Sequence, residues 1–138
     1  MIFIYTSHLV ALAIRSDALH DRAPAWTKTL AGPFLTTEYV LVEFVNRLFA
    51  IPQRPIAHAV LSSLSKNAAI SVLSATPKFF QAGLRLHRDR RDKNWSLTDC
   101  ISFAIMGDAH MSEALTYDQH FEQAGFNALL RKSPPVTE

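Results

Sequence analysis

Apolar residues run unbroken through Ile2-Phe3-Ile4-Tyr5, give way at Thr6-Ser7, and resume with helical spacing in Leu9-Val10-Ala11-Leu12. A β-prone run that ends at small hydroxyl residues and turns into an amphipathic segment predicts a fully buried strand feeding a helix, with Ser7 as its N-cap. Ligands of α/β folds sit at such junctions. The residue occupying this one is Tyr5, a phenol.

The pattern then alternates. Residues 17–30 look helical but contain Pro24, which suits a first turn better than a helix interior, so a break is expected there. Gly32-Pro33 marks a turn and Phe34-Leu35-Thr36 a short strand. Thr37 caps a helix whose apolar positions Val40, Leu41, Phe44, Val45 and Leu48 keep helical spacing, with Pro52 and Pro55 expected to end it. A helix over residues 56–64 leads to a third strand, Ile70-Ser71-Val72-Leu73. Thr76-Pro77, a cap followed by proline at the first helical position, opens another helix. Ser96 or Thr98 caps the next, which buries Cys100, Ile101, Phe103, Ala104, Ile105 and Met106. A strand at residues 113–116, a turn of helix at 119–124 and a weak strand at 128–130 precede Pro134-Pro135.

Short strands alternating with helices imply βαβ crossovers, hence a three-layer α/β/α fold with a mostly parallel central sheet. The C-terminal ends of parallel strands share one edge, which would bring Tyr5 and Asp118 together.

Composition adds bounds. The chain has 138 residues, 49% apolar and 19% charged, enough for one domain with its own core. Its one cysteine, Cys100, excludes an internal disulfide and points to a reducing cytoplasm. No signal peptide is evident, and no apolar run approaches the roughly 20 residues of a membrane helix. A formal net charge of +2 is too small to argue for nucleic acid. Arg85, Arg88, Arg90, Arg91 and Lys93 do cluster, with Asp89 and Asp92 among them, and two readings stay open: a solvated helix end or a phosphate-contacting patch.

Three acidic residues fall where they could converge. Glu43 lies in the middle of a helix between Val42 and Phe44, with Asn46 and Arg47 following; a surface Glu–Arg pair is the plain explanation. Asp99 sits in a first helical turn, where exposed amides favour a carboxylate whatever its chemistry. Asp118 follows a strand and suits an Asx-turn. Taken singly, each has a structural explanation.

Taken together they resemble a family. Ser96-Leu97-Thr98-Asp99-Cys100, Leu115-Thr116-Tyr117-Asp118-Gln119-His120-Phe121, Gly125-Phe126, and Thr36-Thr37 with Tyr39-Val40-Leu41 and Glu43 are similar to motifs of PIN domains, particularly VapC-type toxins of bacterial toxin–antitoxin pairs. So is the opening strand with Thr6-Ser7. The order is right over nearly the whole chain. The resemblance implies a metal-dependent ribonuclease that holds Mg²⁺ or Mn²⁺ on Glu43, Asp99 and Asp118, since hard divalent ions take oxygen ligands. It also implies that Thr6, Ser7 and Asn46 orient a carboxylate or water, and that His120 and Phe121 pack and orient the Asp118 loop. RNA as substrate, a small antitoxin that occludes the acidic cleft, and homodimerisation through the apolar helices are the implied partners.

One position departs from the family pattern. Its first aspartate falls on Tyr5, which is neutral near pH 7 with an ordinary pKa of about 10, so the site loses a charge and a small bidentate ligand. His8 is the nearest imidazole that would compensate, although Mg²⁺ prefers oxygen. The expectation is therefore a weakened nuclease, or a module that binds RNA or an antitoxin without cutting. A phospho-acceptor receiver domain, also α/β with strand-end acids, fits less well: the first strand is not followed by an adjacent acidic pair. Trp95 is expected to cover the core rather than to stack on bases.

Overall fold

The first strand, β1 (Ile2–Ile4), is the centre of a five-stranded sheet. The computed structural model describes residues 1–136. In chain order β1 is followed by α1 (Thr6–Ala13), α2 (Arg22–Thr29), β2 (Phe34–Thr37), α3 (Glu38–Arg47), α4 (Arg54–Lys66), β3 (Ile70–Leu73), α5 (Pro77–Asp89), α6 (Leu97–Asp108), β4 (Glu113–Leu115), α7 (Gln119–Gln123) and β5 (Asn127–Ala128). The strand order is β3-β2-β1-β4-β5, and every pairing is parallel. This is the three-layer α/β/α architecture that the alternation predicts.

The order explains where a site should form. The chain steps from β1 outward through β2 to β3, then crosses back to place β4 on the other side of β1. Phe3 is in register with Leu35 on one side and Ala114 on the other. The connections leaving β1 and β4 therefore diverge, and the crevice between their C-terminal ends is a topological switch point. Tyr5 and the segment from Thr116 to Asp118 border it. All three residues of β1 are buried, as a strand covered on both faces requires.

Local signals account for most boundaries. Thr37 caps α3 by accepting from Val40 N–H at 3.2 Å, and Thr76 caps α5 by accepting from Phe79 N–H at 3.4 Å. Ser96 and Asp99 form a reciprocal capping box at the start of α6, each side chain accepting from the other's backbone N–H at 3.0 Å. Pro24 lies in the first turn of α2, and the expected break falls before it, as turns over residues 15–21.

Three expectations need correction. The N-cap of α1 is Tyr5, in an extended conformation, and Ser7 lies inside the helix with its hydroxyl committed elsewhere. The helix α3 ends at Arg47, before either proline, and Pro55 instead sits in the first turn of α4, where its missing N–H costs nothing. The last strand is Asn127–Ala128, and residues Leu129–Arg131 turn as a short 3-10 helix.

An aromatic cluster lies directly beneath the switch point. The Tyr5 ring packs on Phe121 with centroids 4.6 Å apart, Phe121 meets Phe103 at 4.8 Å, and Phe103 meets Trp95 at 5.0 Å. Trp95 is buried, as expected, and donates its indole N–H to Gln123 Oε1 at 3.0 Å. The helices α5 and α6 touch closely at Gly83, over which Ile101 lies.

Candidate active site

The crevice at the ends of β1 and β4 is a pocket of about 410 Å³ whose wall includes Tyr5, Thr6, Ser7, Glu43, Tyr117 and Asp118. Each functional side chain is delivered by a different local device. Glu43 reaches it from the second turn of α3, where the Thr6 hydroxyl at the start of α1 donates a hydrogen bond to Glu43 Oε1. Asp118 is the N-cap of α7 and accepts from His120 N–H at 2.8 Å. Asp99 arrives through the capping box of α6.

Asp99 differs from the other two. It is only 3% exposed and forms no part of the cleft wall. Its Oδ1 accepts a hydrogen bond from the Tyr5 hydroxyl at 2.5 Å, and its Oδ2 accepts from Ser96 N–H at 3.0 Å and meets His120 Nδ1 at 2.9 Å. Tyr5, itself 3% exposed, stands between this carboxylate and the cleft. Burial, then the negative charges of Asp99 and Glu43, push the Tyr5 phenol far above its ordinary range, so it remains a neutral donor.

The two carboxylates that face the cleft each keep an oxygen in reserve. Among the described residues no hydrogen bond reaches Glu43 Oε2 or Asp118 Oδ2. Burial raises the Asp118 carboxyl above the usual carboxylate range, with the His120 backbone N–H opposing it. His120 contacts both acids: Nδ1 lies 2.9 Å from Asp99 and 3.2 Å from Asp118, and one ligand atom from each of these three residues falls within 4.8 Å of the others. The imidazole thus bridges the two acids at the back of the site.

Ser7 positions rather than caps. Its hydroxyl pairs with Thr116 Oγ1 at 3.1 Å and accepts from Tyr117 N–H at 3.0 Å, while Thr116 Oγ1 accepts from Asp118 N–H at 3.1 Å. This chain of hydroxyls ties α1 to the loop that carries Asp118. Two other expected contributors are absent from the cleft wall. Asn46 is exposed on α3 and borders grooves on the helix's outer sides. His8 is buried with its ring toward Ala23 of α2, and neither ring nitrogen has a hydrogen-bond partner among the described residues. It cannot lend a ligand to the site, because residue 8 of α1 faces the core and not the cleft.

The sequence profile of the PIN domain matches residues 2–127, most of the chain and all of the residues above. The chain belongs to the PIN domain family. Among solved structures, this PIN domain is similar to VapC20 of Mycobacterium tuberculosis, described as a toxin that cleaves the sarcin-ricin loop. The two share 24% identity over 94% of this chain and 98% of that one, with a TM-score of 0.86, a likeness of fold. No curated protein matches the chain.

Two further residues of this PIN domain face the cleft without belonging to the acidic set. Tyr117 and Arg47 line the wall, Tyr117 from within the motif that carries Asp118 and Arg47 as a helix-end cation. The basic run at the end of α5 does not reach the cleft: Arg88 pairs with Asp89 at 3.1 Å, and Arg90 pairs with Asp92 at 3.0 Å while lying over Trp95. Its contacts are those of a solvated helix end. No described helix is long and apolar enough to cross a membrane.

Proposed function

We propose that this PIN domain is a metal-dependent endoribonuclease of the VapC toxin type, hydrolysing RNA phosphodiester bonds, with its activity held low by Tyr5. The observation that carries the reading is the convergence of Glu43 and Asp118 on one cleft with Asp99 directly behind Tyr5. The donor set fits Mg²⁺ or Mn²⁺ in kind. It is made of oxygens, and Glu43 and Asp118 each leave one oxygen without a protein partner; Mg²⁺ is commonly held by one or two carboxylates and otherwise by water and substrate phosphate.

When bound there, the ion supplies Lewis-acid polarisation of the phosphodiester and lowers the pKa of a coordinated water. The chain's own residues supply the rest. Thr6 fixes the Glu43 carboxylate from one side, and the Ser7–Thr116 hydroxyl pair fixes the Asp118 loop from the other. His120 and Ser96 hold Asp99 in place. Tyr5 withholds Asp99 from the cleft by covering it and by occupying Oδ1, so the ion would have two carboxylates within reach rather than three.

Incubating a labelled RNA with the protein and Mn²⁺ tests this. Slow cleavage that EDTA abolishes, and a rate at least about tenfold higher for Tyr5→Asp, are expected; cleavage that survives EDTA contradicts the metal mechanism. A second reading, a PIN module that binds RNA or an antitoxin without cutting, is favoured by the full occupation of Asp99 by hydrogen bonds. It predicts no cleavage by either protein.

In this reading the protein works as one cytoplasmic domain whose antitoxin covers the acidic cleft. Exposed Val42, Phe49, Ile51 and Ile56 on and after α3 support a protein-binding or self-pairing surface. Light scattering checks the pairing: a dimer mass at micromolar concentration is expected, and a strict monomer removes that part.

A further inference from the structure

The rim of the cleft has a feature that three carboxylates do not require. Tyr117 immediately precedes Asp118 and lines the cleft, yet it is 45% exposed and packs into neither the core nor its apolar shell. Its ring is therefore not spent on core packing. It is instead held in place while exposed. The Arg131 guanidinium lies 4.8 Å from the ring centroid, donates from Nη1 to the Tyr117 carbonyl at 2.9 Å, and is anchored by Glu122 through Nε at 2.8 Å. The Tyr117 N–H is tied to Ser7 Oγ at 3.0 Å. Its backbone is fixed from two sides, and a cation lies over its ring.

The wall also carries a cation. Arg47, in the last turn of α3, lines the same cleft, and among the described residues it has no carboxylate partner. A fixed aromatic plate and an unpaired guanidinium on one cleft are the two elements that single-stranded nucleic acids need: a π-face for a base and a positive charge for the backbone.

We infer that Tyr117 stacks on one base of the RNA while Arg47 takes a neighbouring phosphate, so that these two side chains position the strand across the cleft. This rests on the reading of the cleft as an RNA-cleaving site and names two residues that would hold its substrate. A splayed base offers its face to the ring. Stacking does not depend on hydrogen bonding to base edges, so it tolerates any base.

The test reads binding apart from cleavage. In EDTA, anisotropy of a short fluorescein-labelled oligouridine is followed with the full chain and its variants. Tyr117→Leu is expected to bind roughly 5- to 100-fold more weakly, and Tyr117→Phe within about twofold of the wild type. An oligonucleotide of abasic residues should erase the difference between wild type and Tyr117→Leu. Arg47→Gln should reduce the slope of log K against log salt by about 0.7. Equal binding by Tyr117→Leu, indifference to abasic residues, or no RNA binding at all overturns the inference. Tyr117-dependent binding in a protein whose Tyr5→Asp variant never cleaves rejects the nuclease reading alone; cleavage with no Tyr117 effect rejects this inference alone.

Discussion

The Tyr5 hydroxyl donates a hydrogen bond to Asp99 Oδ1, oxygen to oxygen 2.5 Å, joining the end of the central strand to the first turn of α6 across 94 residues of sequence. Each partner explains the state of the other. A carboxylate buried to this degree needs donors, and Tyr5 supplies one beside Ser96 and His120. A phenol beside two carboxylates stays protonated. The pair is locally satisfied, and what it satisfies is a residue that the PIN family resemblance assigns to metal.

Removing only the hydroxyl isolates this bond. Tyr5→Phe keeps the ring on Phe121 but leaves Asp99 Oδ1 buried without a donor, and a lost hydrogen bond to a charged group costs about 2 kcal/mol. Urea denaturation of the two proteins measures it. An unchanged midpoint would mean that the bond contributes nothing.

Ser96 is the second support of Asp99. Ser96→Ala removes half of the capping box and should cost about 1 kcal/mol in the same experiment. Ser96→Asp, which retains a cap acceptor but adds a charge beside Asp99, should not recover the loss.

Gly83 is where α5 meets α6. A Cβ there would stand 2.2 Å from Ile101 Cγ1 and 3.0 Å from the Ile101 backbone, which cannot move aside as a side-chain end does. Gly83→Ala gains about 1 kcal/mol of helix propensity yet overpacks the contact by about 3 kcal/mol. A net loss in stability is expected from thermal or urea unfolding; stabilisation would show that the helices separate freely.

His8 gives the fold an acid limit. Burial lowers its pKa from 6.5 to about 4, so the folded protein keeps it neutral where the unfolded chain protonates it. The unfolded state binds more protons between these values, and stability therefore falls as pH drops from about 6.5 toward 4. The full loss is roughly 3 kcal/mol at 1.36 kcal/mol per pKa unit. His8→Leu also removes two unpartnered ring nitrogens. Its unfolding midpoint should equal or exceed the wild-type value at pH 7 and lose this part of the acid dependence; a parallel decline in both proteins would contradict the assignment.

The fold was legible because its signals are local. The Thr37, Thr76 and Ser96 caps and the alternation that produces a parallel sheet all act within a few residues, and the bounds of β3, Ile70-Ser71-Val72-Leu73, follow from its short β-prone run. Signals that depend on tertiary partners were not legible. Ser7 has the composition of a cap, but its hydroxyl is claimed by Thr116 and Tyr117 from β4's far end. The fate of His8 was set by α2, which packs over α1 and leaves the imidazole no route to the cleft. Glu43, Asp99 and Asp118 could be named from motifs, whereas the covering of Asp99 by Tyr5 depends on how the ring packs on Phe121. The contact of His120 Nδ1 with Asp99, 21 residues away, is likewise a tertiary one.

Manganese binding tests the central claim most directly. Titrating Mn²⁺ into the wild-type chain and into Tyr5→Asp by calorimetry separates the ion from any question of substrate. The account predicts weak binding to the wild type and binding at least about tenfold tighter to Tyr5→Asp, which opens Asp99 to the cleft and adds a carboxylate. Equal affinity in the two proteins would contradict it, because Tyr5 would then neither cover nor replace a metal ligand.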